Sequence, residues 1–170
     1  MKFIFIDPSG SYNEGKGHTG ISIIEDFKWD TLKTYSIAAK DYNERLLYWK
    51  AIINTVIKDA KNTYVIIESF VNRNNGFLIG KMPETPLLIG ALVWELEQLN
   101  IPYKFQSPSQ AKSRFKDEHL DRYIPNFVIK GTDRGNLFYL NGKLTNDHVR
   151  DSLKHLLYFQ KYGGYVYDNY

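Results

Sequence analysis

The 170 residues contain no cysteine. That absence removes disulfides, thiolate nucleophiles and cysteine-held zinc or iron–sulfur sites, so a bound metal would have to be held by oxygen or imidazole. No apolar run approaches the roughly 20 residues needed to span a bilayer, and the apolar start, Met1 to Asp7, is too short for a signal peptide. An intracellular, cytoplasmic setting with no membrane attachment is the expectation. Internal repeats and low-complexity segments are also missing. The 43% hydrophobic and 24% charged residues that are present are ordinary for a globular chain able to enclose one core, so residues 1–170 are read as a single domain. Net charge is small, +3, but uneven: Lys104 to Lys161 holds 11 Lys and Arg against 6 Asp and Glu, whereas residues 1–103 hold 11 against 12. A basic C-terminal half suits a polyanionic partner, although a solvated basic face would look the same.

The apolar pattern predicts strands over Lys2 to Ile6, Gly20 to Ile24 and Thr31 to Ala38, read together as a meander. Asp41 to Ala60 carries Leu46, Leu47, Trp49, Ile52, Ile53, Val56 and Ile57 at helical spacing, with Asp41 as N-cap and Glu44 completing a capping box. Thr63 to Ile67 is the continuous β-branched run of a strand covered on both faces, and Glu68 closes it. A polar loop, Ser69 to Pro83, leads to a helix over Glu84 to Leu99, a strand over Tyr103 to Phe105, and a short helix opened by Ser107 and Pro108. Ile124 to Leu144 reads as an irregular hairpin, and a last helix runs from Asn146 to Tyr162. The order βββαβαβα implies an α/β fold, a mixed five-stranded sheet with helices on both faces.

Three acidic positions stand at element ends. Asp7 follows the first buried strand, where aspartate often serves only as a turn-former. Glu68 ends the fourth strand, a place where glutamate is a poor turn residue and a poor buried one, with a buried ion pair as its structural alternative. On the last helix Asp147, His148 and Asp151 share one 100° arc of the first turn, beside a core stripe of Val149, Leu153, Leu156 and Leu157. Acidic residues there also complement the helix dipole, worth about 0.3 to 1 kcal/mol each. Gathered together, these carboxylates would raise one another's pKa values unless a cation neutralised them. Hard, oxygen-preferring Mg²⁺ or Mn²⁺ fits, and two such ions would suit hydrolysis of a nucleic-acid backbone.

At these residues the chain resembles the RuvC-like Holliday-junction resolvases of the RNase H-like superfamily. The first strand's Ile6, Asp7, Pro8, Ser9, Gly10, then Thr19, Gly20 and Ile21, resembles the family's Ile-Asp-Pro-Gly and Thr-Gly elements. Glu68 is similar to its fourth-strand glutamate, and His148, Val149, Arg150, Asp151 to its closing (Asp or His)-x-x-Asp helix. The resemblance implies a metal-dependent endonuclease that resolves branched DNA by phosphodiester hydrolysis, with Asp7, Glu68, His148 and Asp151 catalytic and Asp7, Glu68, Asp147 and Asp151 as metal ligands. Whether Asp147 or His148 completes the site stays open at this point. Ser11 to His18 resembles an insertion that lengthens the first hairpin over the active site, and Ser152 stands where the family tends to have alanine.

The same resemblance places Lys112, with Arg114 and Lys116, near the scissile phosphate, and puts Arg73 and an aromatic such as Phe70 or Phe77 in the loop after Glu68 that meets the junction. It also implies a homodimer joined through the helix after the fourth strand, where Leu87, Leu88, Ile89, Ala91, Leu92 and Trp94 are apolar nearly all round. The small size and basic tail fit a phage or related mobile-element type, acting inside an infected host. Other readings are a flap or branch nuclease of the same superfamily and a catalytically inactive DNA-binding module. An actin-like ATPase would need two such domains and far more residues, so no nucleotide cofactor is expected.

Overall fold

The computed structural model describes residues 1–12, 15–58, 62–70 and 84–163. The first strand, β1 (Lys2–Asp7), pairs antiparallel with β2 (His18–Glu25) and parallel with β4 (Thr63–Glu68). The edges are β3 (Lys28–Ala38) and β5 (Tyr103–Gln106), giving the order β3-β2-β1-β4-β5. β1 lies at the centre because both of its faces are apolar: Phe3 and Phe5 on one, Ile4 and Ile6 on the other, all buried.

Two helices, α1 (Arg45–Ile57) and α2 (Glu84–Gln98), cover one face. Their Tyr48, Ile52, Leu88 and Leu92 join Ile4, Ile6, Val65 and Ile67 in one core. The last helix, α4 (Asp147–Tyr162), covers the other face, with Leu156 and Phe159 against Phe3, Phe5 and Ile66. Side chains alternate along a strand, so Asp7 shares the α4 face with Phe3 and Phe5, and Glu68 shares it with Ile66. Because Ile6 is level with Ile67, the two carboxylates leave neighbouring parallel strands at the same height.

The short α3 (Pro108–Arg114) packs on α4, and a second small sheet follows it: β6 (Phe127–Thr132), β7 (Gly135–Leu140) and β8 (Lys143–Leu144). Phe127 and Leu140 of that sheet meet Val149, Leu153 and Leu157 of α4. Helix α4 is therefore covered on both sides, which is why even Ser152, Lys154 and His155 are buried on it.

Three sequence expectations need correction. Helix α1 begins at Arg45, and Asp41 does not cap it: Ala39–Asp41 forms a 3₁₀ turn, and Glu44 precedes the helix without a side-chain cap bond. The Tyr12 hydroxyl donates to the Tyr42 carbonyl, holding this segment extended where the capping box would need it helical. Strand β3 starts at Lys28, three residues earlier than its alternation suggests. The irregular hairpin over 124–144 is a regular antiparallel meander, turned at Asn141 and Gly142 with φ of 50° and 77°, a pairing of residues suited to tight hairpins.

Candidate active site

Each of the three carboxylates is anchored through one oxygen to a side chain of α4. Asp7 Oδ2 lies 2.6 Å from His148 Nδ1. Asp151 Oδ1 accepts from Lys154 Nζ at 2.7 Å, and Glu68 Oε2 accepts from His155 Nε2 at 2.7 Å. The second oxygens of two of them meet one cation: Lys112 Nζ of α3 is 3.0 Å from Glu68 Oε1 and 2.7 Å from Asp151 Oδ2. Asp7 Oδ1 accepts no hydrogen bond from the described residues.

Close approach of α4 to the sheet makes this possible, and Gly20 permits it. A Cβ there would lie 2.1 Å from the His148 carbonyl oxygen, and Gly20 is level with Asp7 across the β1–β2 ladder. Asn146 caps α4 by accepting from the Val149 amide at 2.9 Å and donates to Ser36 Oγ, pinning the helix start to β3. Ser152 hydrogen-bonds Ser22 at 2.6 Å under the same helix, so its hydroxyl is satisfied where alanine would have none to satisfy.

The protonation states follow from these contacts. Burial pushes the Asp7 carboxyl above its ordinary value, against the pull of its bond to His148. That same bond pushes His148 up, against burial. Both shifts retain protons, so Asp7 and His148 form a proton-holding pair. Burial opposes ionisation of Glu68 and Asp151 too, but His155 and Lys112 outweigh it at Glu68, and Lys112 and Lys154 at Asp151, so both carboxyls are held below their ordinary values. Burial would lower Lys112, and the charges of Asp7, Glu68 and Asp151 more than reverse it.

Of the four expected catalytic residues, Asp7 and His148 are in contact with each other, and Glu68 and Asp151 are joined through Lys112, with Asp7 and Glu68 on neighbouring strands. Asp147 is exposed and makes no hydrogen bond or ion pair among the described residues. No three His, Asp or Glu side chains among the described residues are drawn together around a metal position as they stand. The Lys112 ammonium lies between two of the carboxylates and keeps them at ammonium distance. The donor chemistry, three carboxylates of which two already hold a positive charge between them, fits a hard divalent cation.

Of the expected DNA-facing residues, Arg114 and Lys116 are exposed close to Lys112 in the chain, and Phe70 is 43% exposed. A pocket of about 280 Å³ opens beside Glu68, lined by Pro8, Ser69, Phe70, Thr85, Pro108 and Lys112. Arg73 and Phe77 lie outside the described residues. The described part of the 11–18 segment turns to the α2 side, where the Tyr12 amide donates to Glu84 Oε2, while His18 at its end stacks on His148 with ring centroids 6.2 Å apart. A roomier cleft of about 550 Å³, between β3 and β8, contains none of the expected site residues.

Sequence reasoning missed His155, Lys154, Gln106 and His18. His155 is wholly buried, with Nδ1 3.0 Å from Gln106 Oε1 as well as its contact to Glu68. Its spacing, seven residues after His148, was a usable signal: two turns along one helix return to the same face.

No family model matches the chain, and no curated protein matches its sequence. Solved structures do match. A structure of T. thermophilus RuvC in complex with Holliday junction substrate has a TM-score of 0.62 at 16% identity, covering 96% of this chain and 95% of that one. Another Thermus thermophilus RuvC structure has a TM-score of 0.58 at 16% identity, covering 96% and 97%. The chain has the RuvC fold, a mixed five-stranded sheet with helices on both faces, as its motifs implied.

Proposed function

We propose that the protein is a metal-dependent endodeoxyribonuclease that resolves branched DNA, four-way junctions above all, by hydrolysing phosphodiesters to leave nicks. One observation carries this reading: Glu68, at the end of β4, and Asp151, on α4, hold the Lys112 ammonium between them, with Asp7 level with Glu68 on the neighbouring strand. The likeness in fold to a protein solved with a Holliday junction supports it further.

Asp7, Glu68 and Asp151 would hold Mg²⁺ or Mn²⁺, with a pair of ions as the proposed complement. His148 rather than Asp147 fills the fourth place, because it is the one in contact with Asp7. Bound there, the ions would lower the pKa of a water and neutralise charge developing on the phosphate. His148 is held to Asp7 through Nδ1 and its side chain remains 30% exposed, so that its other ring nitrogen, Nε2, would be the one to exchange a proton with water or the leaving oxygen. Lys112, Arg114 and Lys116 lie on one stretch where they would engage phosphates by charge, and Phe70, which lines the pocket, offers a ring to an unpaired base, with Arg73 three residues further along the sequence as a further candidate.

A homodimer would place two such sites on opposite strands. Trp94, 66% exposed, and Leu87 stand seven residues apart on one side of α2, and this exposed apolar pair on the helix after β4 supports it. Sedimentation of Trp94→Glu against wild type tests it, and a wild-type monomer at micromolar concentration would remove it.

The activity is tested by incubating the protein with labelled four-way, three-way and flap DNAs in Mg²⁺ or Mn²⁺. Paired symmetric nicks in the four-way substrate are expected. Cutting confined to flaps would replace the junction reading with a flap nuclease, and binding with no cutting would leave a DNA-binding module.

A further inference from the structure

The side chains that hold the carboxylates are of two kinds. Lys154 and His155 sit on α4 itself with side chains 10% and 0% exposed, each gripping an outer oxygen. Lys112 comes from another element, α3, its side chain is 33% exposed, and among the described residues it alone bridges Glu68 and Asp151. The buried pair is part of the scaffold, whereas Lys112 reaches in from the solvent side and can leave without unpacking α4.

We propose that Lys112 is a tethered counter-ion that a divalent cation must displace, and that its released ammonium moves to the phosphate backbone, so that metal and nucleic acid bind cooperatively. The inference rests on the metal-nuclease reading above. Its ground is steric and electrostatic. Glu68 Oε1 and Asp151 Oδ2 stand 3.0 and 2.7 Å from Nζ, and Mg²⁺ would need such oxygens at about 2.0 to 2.1 Å. An ammonium and a metal ion cannot share those two oxygens. With His155 and Lys154 fixing the outer oxygens, the inner ones stay aimed at the same point after Lys112 leaves. The displaced lysine carries a full charge at the mouth of the pocket that Phe70 and Pro108 line, where a phosphate would take the place of the lost carboxylates. By linkage, whatever phosphate gains from the free lysine, the metal gains in affinity.

The test is Mn²⁺ binding by the full chain, followed by the electron paramagnetic resonance signal of free Mn²⁺, for wild type and Lys112→Ala, with and without an unbranched duplex that is not a substrate. Without DNA, Lys112→Ala should bind Mn²⁺ about tenfold more tightly or better, since two charge-assisted hydrogen bonds no longer compete. Duplex should tighten Mn²⁺ binding several-fold in wild type and leave the variant unchanged. Equal or weaker Mn²⁺ binding by the variant, or a duplex effect that survives the substitution, overturns the inference while the nuclease reading stands. Failure of every form to bind Mn²⁺ overturns the nuclease reading and this inference with it. If Lys112→Ala does not fold, Lys112→Met keeps the chain length, and Mn²⁺ should then raise its thermal midpoint by more than it raises that of wild type. An equal or smaller rise overturns the inference.

Discussion

His155 Nε2 lies 2.7 Å from Glu68 Oε2, on an imidazole with no exposed surface. Because Nδ1 of the same ring meets Gln106 beside Glu68 in the β4–β5 ladder, one α4 residue ties the ends of two strands to the helix. His155→Ala would leave a part-buried carboxylate short of a partner and open a cavity beneath it. A loss of about 2 to 4 kcal/mol in urea unfolding is expected, with weaker Mn²⁺ binding. His155→Gln keeps a donor and should recover about half of the loss. A change under about 1 kcal/mol for alanine would mean that the contact is incidental.

Asp7 and Glu68 should respond in opposite senses to neutralisation. Burial raises Asp7, so its ionised form is disfavoured by the fold: the stability linked to this group is present below its unfolded pKa and lost as pH rises through the folded value. Asp7→Asn should therefore stabilise the metal-free protein at pH 7, by about 1 kcal/mol, while abolishing cleavage. Glu68 is lowered despite its burial, because His155 and Lys112 hold its charge; its contribution is present above the unfolded pKa and lost as pH falls. Glu68→Gln should destabilise at pH 7 and flatten the acid limb of the unfolding profile. Thermal melts of both variants in chelator, from pH 4 to 8, decide the matter, and shifts of the same sign would contradict it.

The central strands were legible because their chemistry is one-sided: continuous β-branched runs such as Thr63 to Ile67 have no other stable use. The start of α4 was legible from Asn146 and the stripe that follows it. The start of α1 was not, since a capping-box pattern at Asp41 and Glu44 says nothing about Tyr12, which holds that segment extended from thirty residues away. Site residues at strand ends could be found from position alone. Lys112 was visible by resemblance, but its bridge between Glu68 and Asp151 depends on how α3 folds back over α4. His155 was hidden within Leu153 to Leu157, since a buried polar residue in an apolar run is recognisable only once a second layer covers the helix.

Gly20 should not tolerate a side chain. An alanine Cβ at this position would stand 2.1 Å from the His148 carbonyl oxygen and 2.5 Å from the Val149 amide nitrogen, both backbone atoms. The start of α4 would have to retreat from the sheet, carrying His148 away from Asp7 and straining the Ser22–Ser152 bond. Gly20→Ala is expected to cost about 1 to 3 kcal/mol, in line with overpacking elsewhere, and to reduce cleavage at least tenfold while the variant still folds. Gly131→Ala, on the exposed β6 where an added Cβ meets nothing closer than 3.9 Å, is the control and should change neither.

Tyr48 braces the loop that leaves Asp7, and its contribution should vanish in alkali. Its hydroxyl donates to the Ser9 carbonyl at 2.7 Å and lies 3.3 Å from Thr19 Oγ1, deep in the core. Burial pushes the phenol up from 10.0 to about 12. Below pH 10 it is neutral in both folded and unfolded chains and its bonds stabilise fully. Between pH 10 and 12 the unfolded chain releases the proton and the folded one does not, so stability falls by roughly 2 to 3 kcal/mol across that window. Tyr48→Phe removes both the bonds and the titration. At pH 8 it should be less stable than wild type by about 1 to 2 kcal/mol, and by pH 12 the difference should close and reverse. Urea unfolding at matched pH follows the difference directly, cancelling the other twelve tyrosines, which both proteins retain. A gap that stayed constant from pH 8 to 12 would show that this phenol ionises in the folded protein as readily as in the unfolded one.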